Sequence, residues 1–168
     1  MTAEVRLKNF AKSTVGPGAL AITAMAAGIA QARNHPSAWE QGMEGYGRRY
    51  GSRLAQRGIG STIQLGVEAM LGEDSRFYPS LQQRPWGRVK AAIGASFVAR
   101  DSEGRKTAPV GRIAGAIGGG LLSRKWQPAG QDDIADGFRS AGVSYGIHIG
   151  MNVFREFWPD IKKHLPFF

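Results

Sequence analysis

The stretch VGRIAGAIGGG, Val110–Gly120, decides between the two folds that this sequence allows. Gly111, Gly115 and Gly119 recur within it at every fourth position. In an α-helix this spacing places all three glycines on one face, where a second helix can approach closely. A glycine inside a helix costs about 1 kcal/mol relative to alanine, so the sequence predicts tight helix packing that offsets this loss.

Two further glycine series have the same spacing. One comprises Gly142, Gly146 and Gly150, and a shorter one comprises Gly47 and Gly51. The chain contains 24 glycines, and they lie among apolar residues rather than in low-complexity runs. We therefore predict a mainly α-helical, glycine-rich, close-packed bundle that forms a single domain over residues 1–168, with all of these glycines in helix–helix contacts.

Apolar spacing, prolines and polar breaks indicate where the helices lie. Asp132 or Asp133 is the expected N-cap of the last helix. The predicted helices span residues 3–13, 19–32, 38–71, 88–100, 110–126 and 134–157.

A β-structure is the alternative. The stretches Ser61–Met70 and Val143–Val153 alternate apolar with small or polar residues, and Phe97–Ile113 could form a hairpin. Together they are compatible with a small outer-membrane β-barrel. Three glycine series of period four favour helices, and Pro166 would break a final strand.

The net charge of +9 favours anionic partners, among them phospholipid headgroups, nucleic acid and acidic polymers. Simple solubility is the competing explanation. The chain has no cysteine, which excludes disulfides, zinc–thiolate sites and thiol catalysis.

The most apolar stretch, Gly18–Ala32, is shorter than the roughly 18 residues that a spanning helix needs. It ends in Ala30-Gln31-Ala32, which resembles a signal-peptide cleavage site. Because the stretch is alanine-rich and follows 17 residues that include Glu4, we interpret it as a helix of the mature fold.

Arginines form the most distinctive basic pattern. Arg49, Arg53 and Arg57 lie four residues apart, so a helix would present them as one stripe. Guanidinium groups suit phosphate and carboxylate oxygens, which makes the stripe a candidate contact for an anion or a membrane. A solvated helix face is the alternative explanation.

No catalytic, cofactor or metal motif is recognisable. The histidines His35, His148 and His164 lie far apart, and His148 is expected to be a hydrogen-bonded core residue. The acidic pairs Glu40/Glu44 and Glu156/Asp160 are expected to be surface or capping groups. We therefore predict that the protein is not an enzyme and needs no cofactor.

The chain closes with REFWPDIKKHLPFF, Arg155–Phe168. Pro159 disfavours helical backbone at Trp158, so a kink and a new short turn are predicted there. The exposed end combines two cations with large apolar residues, which suits a membrane interface or a partner groove. It is predicted to supply basic contacts through Lys162 and Lys163 and an anchor made of Trp158, Phe167 and Phe168; a core role for Phe167 and Phe168 is the alternative.

Four motifs occur in order along the chain: GMEGYGRRYGSRLA, EDSRFY, FVARDSEG and NVFREFWPDIKKH. The set resembles an uncharacterised family of small bacterial envelope proteins. Its members carry a signal peptide before a region similar to Leu7–Ala32, so the resemblance implies that a signal peptide has been lost or trimmed before Met1 here. It implies no activity and no catalytic residues.

These observations predict a structural or interaction protein of the bacterial cell envelope. The expected partners are an anionic membrane surface or another protein, and the expected assembly is a homo-oligomer. A nucleic-acid- or polyanion-binding protein is a second hypothesis, although no nucleic-acid-binding module is recognisable. An outer-membrane pore is the third.

Overall fold

The structure, a computed structural model, describes residues 2–163. Helices dominate this part of the chain, so the prediction of a mainly α-helical fold is confirmed. Its strands, β1 and β2, have two residues each and form an antiparallel hairpin, so a barrel is not indicated. The elements are α1 (Ala3–Val15), α2 (Pro17–Ala32), α3 (Gly42–Leu71), α4 (Pro85–Ser96), β1 (Ala99–Arg100), β2 (Lys106–Thr107), α5 (Val110–Ser123) and α6 (Ile134–Lys163).

Local chemistry explains several helix ends. Pro17 and Pro85 open α2 and α4, where a missing backbone N–H leaves no hydrogen bond unmade. Gly72 ends α3 with a positive φ of 67°, a conformation that other residues rarely adopt. At the start of α6, the carboxylate of Asp133 accepts the backbone N–H of Ile134 at 2.7 Å, as expected for one of the two candidate aspartates.

The glycine face of α5 packs directly on α3. A β-carbon added at Gly115 would lie 2.5 Å from the backbone oxygen of Gly60, and one at Gly119 would lie 2.9 Å from that of Gln56. At Gly111 the same atom would meet the side chain of Glu68 at 2.6 Å. The predicted role of these three glycines is therefore present in the fold: they let two helix backbones touch.

The opposite side of α5 packs on α6. A β-carbon at Gly120 would lie 2.4 Å from the backbone oxygen of Gly137 and 2.9 Å from the backbone nitrogen of Ala141. The central helix is thus clamped between α3 and α6. On the outside, α4 packs against α6, and α1 and α2 pack against α3.

The other two glycine series do not make the predicted helix–helix contacts within residues 2–163. These series comprise Gly47 and Gly51 on α3 and Gly142, Gly146 and Gly150 on α6. Among residues 2–163, nothing lies within 4 Å of a β-carbon placed at any of these five glycines, and all five are exposed. The reason is that α6 meets α5 through its Gly137 and Ala141 face. A contact with a second chain remains a prediction for Gly47, Gly51, Gly142, Gly146 and Gly150.

The interior holds few large apolar side chains. Among residues 2–163 the buried hydrophobic residues are all alanines, whereas the largest fully buried side chains include Arg49, Glu73, Asn152 and Glu156. Backbone-to-backbone contact along α5 leaves no room for leucine or phenylalanine there. Many large apolar side chains consequently face outward, among them Leu7, Met43, Met70 and Leu81.

Helix α6 continues through Pro159 without interruption, so the predicted new turn after Trp158 is wrong. Arg88 explains the continuity, because its guanidinium binds Glu156 on one side of the proline and Asp160 on the other. Two helical turns are thereby held together across the missing backbone hydrogen bond.

The N-terminal stretch Ala3–Ala32 is long and apolar enough to cross a membrane, with a mean hydropathy of 1.4 over its best window. Only 28% of that window is buried. Signal sequences and buried core helices meet the same criterion, and in this structure the stretch is two helices separated at Gly16.

Matched glycine substitutions test the role of α5. Gly115→Ala should lower the free energy of unfolding by about 1–3 kcal/mol, because the new methyl group meets the Gly60 backbone. Gly146→Ala adds the same methyl group to exposed helix and should instead stabilise it by up to about 1 kcal/mol. Urea denaturation followed by circular dichroism measures both; equal effects at the two positions would contradict the packing described here.

Candidate functional site: a basic groove

A large groove runs between the N-terminal helices and the rest of the bundle. Its volume is about 740 Å³, and residues of α1, α2, α3, α5 and α6 line it together with the segment after α3. We call it the basic groove. A groove of this size is in the range that holds small-molecule ligands.

Cations outnumber anions in the basic groove, with seven basic and two acidic side chains along its walls. Both acids are already engaged. Asp74 forms an ion pair with Arg76 at 2.7 Å, and Glu68 accepts hydrogen bonds from Gln64 and Ser75. The basic side chains are Arg6, Lys12, Arg53, Arg57, Arg76, Arg112 and Arg155.

Three of these arginines lack an anionic partner. Among residues 2–163, no carboxylate lies within ion-pair distance of Arg53, Arg57 or Arg155. Burial lowers the pKa of each, and for Arg57 the charge of Arg155 lowers the pKa further. Uncompensated like charges in a partly dehydrated groove raise its affinity for an anion.

Arg112 lies at the floor of the groove. Its side chain is only 4% exposed, and its guanidinium donates to the backbone oxygens of Ser75 and Ser96. The Nε atom has no hydrogen-bond partner in the described residues. The hydrogen bonds of this buried guanidinium among residues 2–163 go to neutral backbone oxygens, so its unpaired Nε–H is a donor available to a ligand.

His148 stands beside these arginines. Burial lowers its pKa to about 3, and the charges of Arg112, Arg155 and Arg57 lower the pKa as well. The imidazole is therefore neutral, and its Nε2 lies 3.1 Å from the side-chain nitrogen of Asn152. Since an amide nitrogen only donates, Nε2 accepts and the ring proton is on Nδ1.

Apolar side chains line other parts of the groove. Phe154 and Trp158 form a tilted ring pair with centroids 5.3 Å apart, one helical turn from each other on α6. The same groove also contains Phe10, Ile22, Leu65, Ile147 and Met151. A ligand that fits this groove combines a negative charge with an apolar portion.

Of the predicted arginine stripe, Arg49 is not a surface residue, and its predicted role as an anion contact is wrong. Its side chain is 1% exposed and donates to the backbone oxygens of His35, Pro36 and Glu40 and to Oε1 of Gln31. The chain between α2 and α3 folds back over it. Arg53 and Arg57 are half-buried in the groove, so the three arginines do not share an accessible face.

At the C-terminal end, Lys162 and Lys163 are exposed in the last turn of α6. Trp158 is partly exposed and lines the groove. Phe167 and Phe168 lie outside the described residues, so their role as an anchor stays a prediction, as does membrane contact by the two lysines.

Several acidic residues of the sequence motifs stabilise the bundle through hydrogen bonds and ion pairs. Buried Glu73 accepts the backbone N–H of Gly111 at the start of α5, and burial raises its pKa. Glu156 accepts from Ser80 and Arg88; burial opposes ionisation, but these hydrogen bonds lower its pKa overall. Asp74 and Arg76 form an ion pair in the segment after α3. Within residues 2–163, no cluster of His, Asp and Glu could hold a metal ion.

Sequence reasoning missed Arg112 and Arg155 as site residues. Arg112 had a usable signal, because it is the only charged residue of the otherwise apolar helix α5. Arg155 had none, since four other charged residues surround it in the C-terminal stretch.

Protein-family models, curated proteins and solved structures yield no match to this chain. The basic groove is therefore interpreted from its own geometry.

The role of Arg49 can be tested against its neighbour. Arg49→Met should lower the free energy of unfolding by at least about 1–3 kcal/mol, because several buried oxygens lose their donor. Arg48→Met removes an exposed ion pair with Glu44 and should change stability by less than about 1 kcal/mol. Thermal unfolding compares the two; a tolerated Arg49→Met would contradict the assignment.

His148 should make the protein sensitive to mild acid. Below its ordinary pKa of 6.5 the unfolded chain takes up a proton at His148, whereas the folded chain stays neutral there down to about pH 3. The free energy of unfolding should therefore fall as the pH drops, by about 2 kcal/mol between pH 6.5 and 5.

Urea titrations at several pH values measure this pH dependence, and the His148→Gln variant should lack the loss of stability that His148 causes. His35→Gln, which alters an exposed histidine, is the control. If His148→Gln and the wild type lose stability with the same slope, His148 is not the group responsible.

Proposed function

We propose that this chain is an interaction protein of the bacterial cell envelope that binds an anionic, single-chain phospholipid in the basic groove. One observation carries the proposal: arginines without carboxylate partners among residues 2–163 meet in a groove that also exposes apolar side chains along its walls. The envelope location rests on the resemblance of the four sequence motifs.

The position of the headgroup follows from the charges. Arg57, Arg112 and Arg155 are close enough to lower the pKa of His148 together, so a phosphate beside His148 would be near all three. The free Nε of Arg112 gives it a buried donor. Guanidinium groups bind phosphate oxygens through directed, charge-assisted hydrogen bonds.

The acyl chain would lie along the apolar walls. Phe154 and Trp158 supply aromatic surface near Arg155 on the same helix, and Ile147 and Met151 lie further back along it. This division into a charged and an apolar part favours an amphiphile over a nucleic acid, whose evenly charged backbone would gain nothing from the apolar walls.

Binding is tested with myristoyl lysophosphatidylglycerol below its micelle concentration, followed by calorimetry. Arg155→Gln should weaken binding roughly tenfold to hundredfold, because it removes a charged hydrogen-bond donor. The same substitution should raise the melting temperature, since it relieves repulsion between Arg155 and both Arg57 and Arg112. This gain in stability separates a lost ligand contact from misfolding.

Arg48→Gln removes the same charge from an exposed position outside the groove and is the control. Equal affinity for lysophosphatidylcholine, which has no net charge, would overturn the proposal. So would a short oligonucleotide that binds tightly and depends on the same arginines, because it would show that the site binds polyanions.

A further inference from the structure

We infer that the outer face of α4, together with the tip of the preceding loop, is a docking surface for an anionic lipid bilayer. This surface is distinct from the basic groove, and the inference does not rest on the proposed ligand. We call it the α4 face; it comprises Leu81, Trp86, Lys90, Ile93 and Phe97.

Helix α4 has its small residues inside and its large ones outside. Ala92 and Ser96 are buried, and Ser96 binds Asn152 of α6 through its hydroxyl. Trp86, Ile93 and Phe97 follow each other at helical spacing on the opposite side. Leu81 and Trp86 are 97% and 67% exposed, and Ile93 and Phe97 are exposed as well, although the Phe97 ring packs against Tyr145 with the centroids 5.6 Å apart. The bundle thus leaves most of this apolar surface uncovered.

The charged residues of α4 and of the short segments directly on either side of it are all basic. From Pro79 to Arg100 the sequence has four basic residues and no aspartate or glutamate. Arg88 is bound to Glu156 and Asp160, whereas Arg84 and Lys90 form no ion pair within residues 2–163. The ammonium group of Lys90 lies 5.8 Å from the centre of the Trp86 ring, at the edge of the apolar surface.

This chemistry matches a bilayer interface. Tryptophan prefers the boundary between headgroups and acyl chains, and exposed lysines beside it reach lipid phosphates. A second copy of the chain fits less well, because a two-fold interface would place the same cations against each other without an anion to offset them. Anionic lipid supplies that negative charge at high density.

Vesicles of phosphatidylglycerol and of phosphatidylcholine test the inference by cosedimentation at low salt. The wild type should bind the anionic vesicles, and Leu81→Ser/Trp86→Ser should lower the partition coefficient at least roughly tenfold. Both side chains are solvent-exposed, so the fold should be retained. Met43→Ser/Met70→Ser, which removes two exposed apolar side chains elsewhere, should bind like the wild type.

Lys90→Gln provides a second, independent reading: it should weaken binding to anionic vesicles several-fold and reduce the salt dependence. Unchanged vesicle binding by the Leu81/Trp86 variant would overturn the inference. A wild-type dimer in sedimentation velocity that this variant converts to a monomer would also overturn it, since the α4 face would then be a contact between copies. Arg155→Gln should leave vesicle binding intact, which separates this surface from the groove.

Discussion

The rest of the structure depends on the direct contact between the backbones of α5 and α3. At Gly115 and Gly60 the two helices are so close that not even a methyl group fits between them. With α6 pressed equally closely on the other side at Gly120, the bundle has a thin centre made of backbone. Side chains that would fill the core of an ordinary helical protein therefore have to lie elsewhere, and this requirement shapes both surfaces discussed above.

Polar side chains connect the outer elements of the bundle to one another. Arg49 binds the connection between α2 and α3, and Arg88 joins α4 to α6. Arg112 binds Ser75 in the segment before α4 and Ser96 at the end of α4. Each of these guanidinium groups reaches backbone oxygens or carboxylates on a different element. Arg53 and Arg155, which form no such bond among residues 2–163, line the basic groove together with Arg57, whose guanidinium donates to the backbone oxygen of Ser13 at 3.3 Å.

The sequence predicted the helical fold and the contact that Gly111, Gly115 and Gly119 make with a second helix, because spacing alone places residues on a common face. It did not reveal which face meets a neighbour: Gly115 and Gly146 have the same local pattern, yet only Gly115 touches another helix. The predicted arginine stripe was wrong for the same reason. Spacing aligned Arg49 with Arg57 but did not show that residues 33–41 cover Arg49. The groove could not be predicted, because Arg57, Arg112 and Arg155 come from three helices whose approach depends on α5.

An interior of alanines, glycines and hydrogen-bonded polar groups has a thermodynamic consequence. Because alanines stand where larger apolar side chains fill an ordinary core, unfolding should expose less apolar surface than it does in a protein with a leucine-rich core. Apolar and polar exposure contribute to the heat capacity with opposite signs. The heat-capacity change per residue should thus be small for a protein of this size. A small value flattens the curve of stability against temperature, so the bundle keeps nearly constant stability over a wide range instead of being strongest within a narrow one.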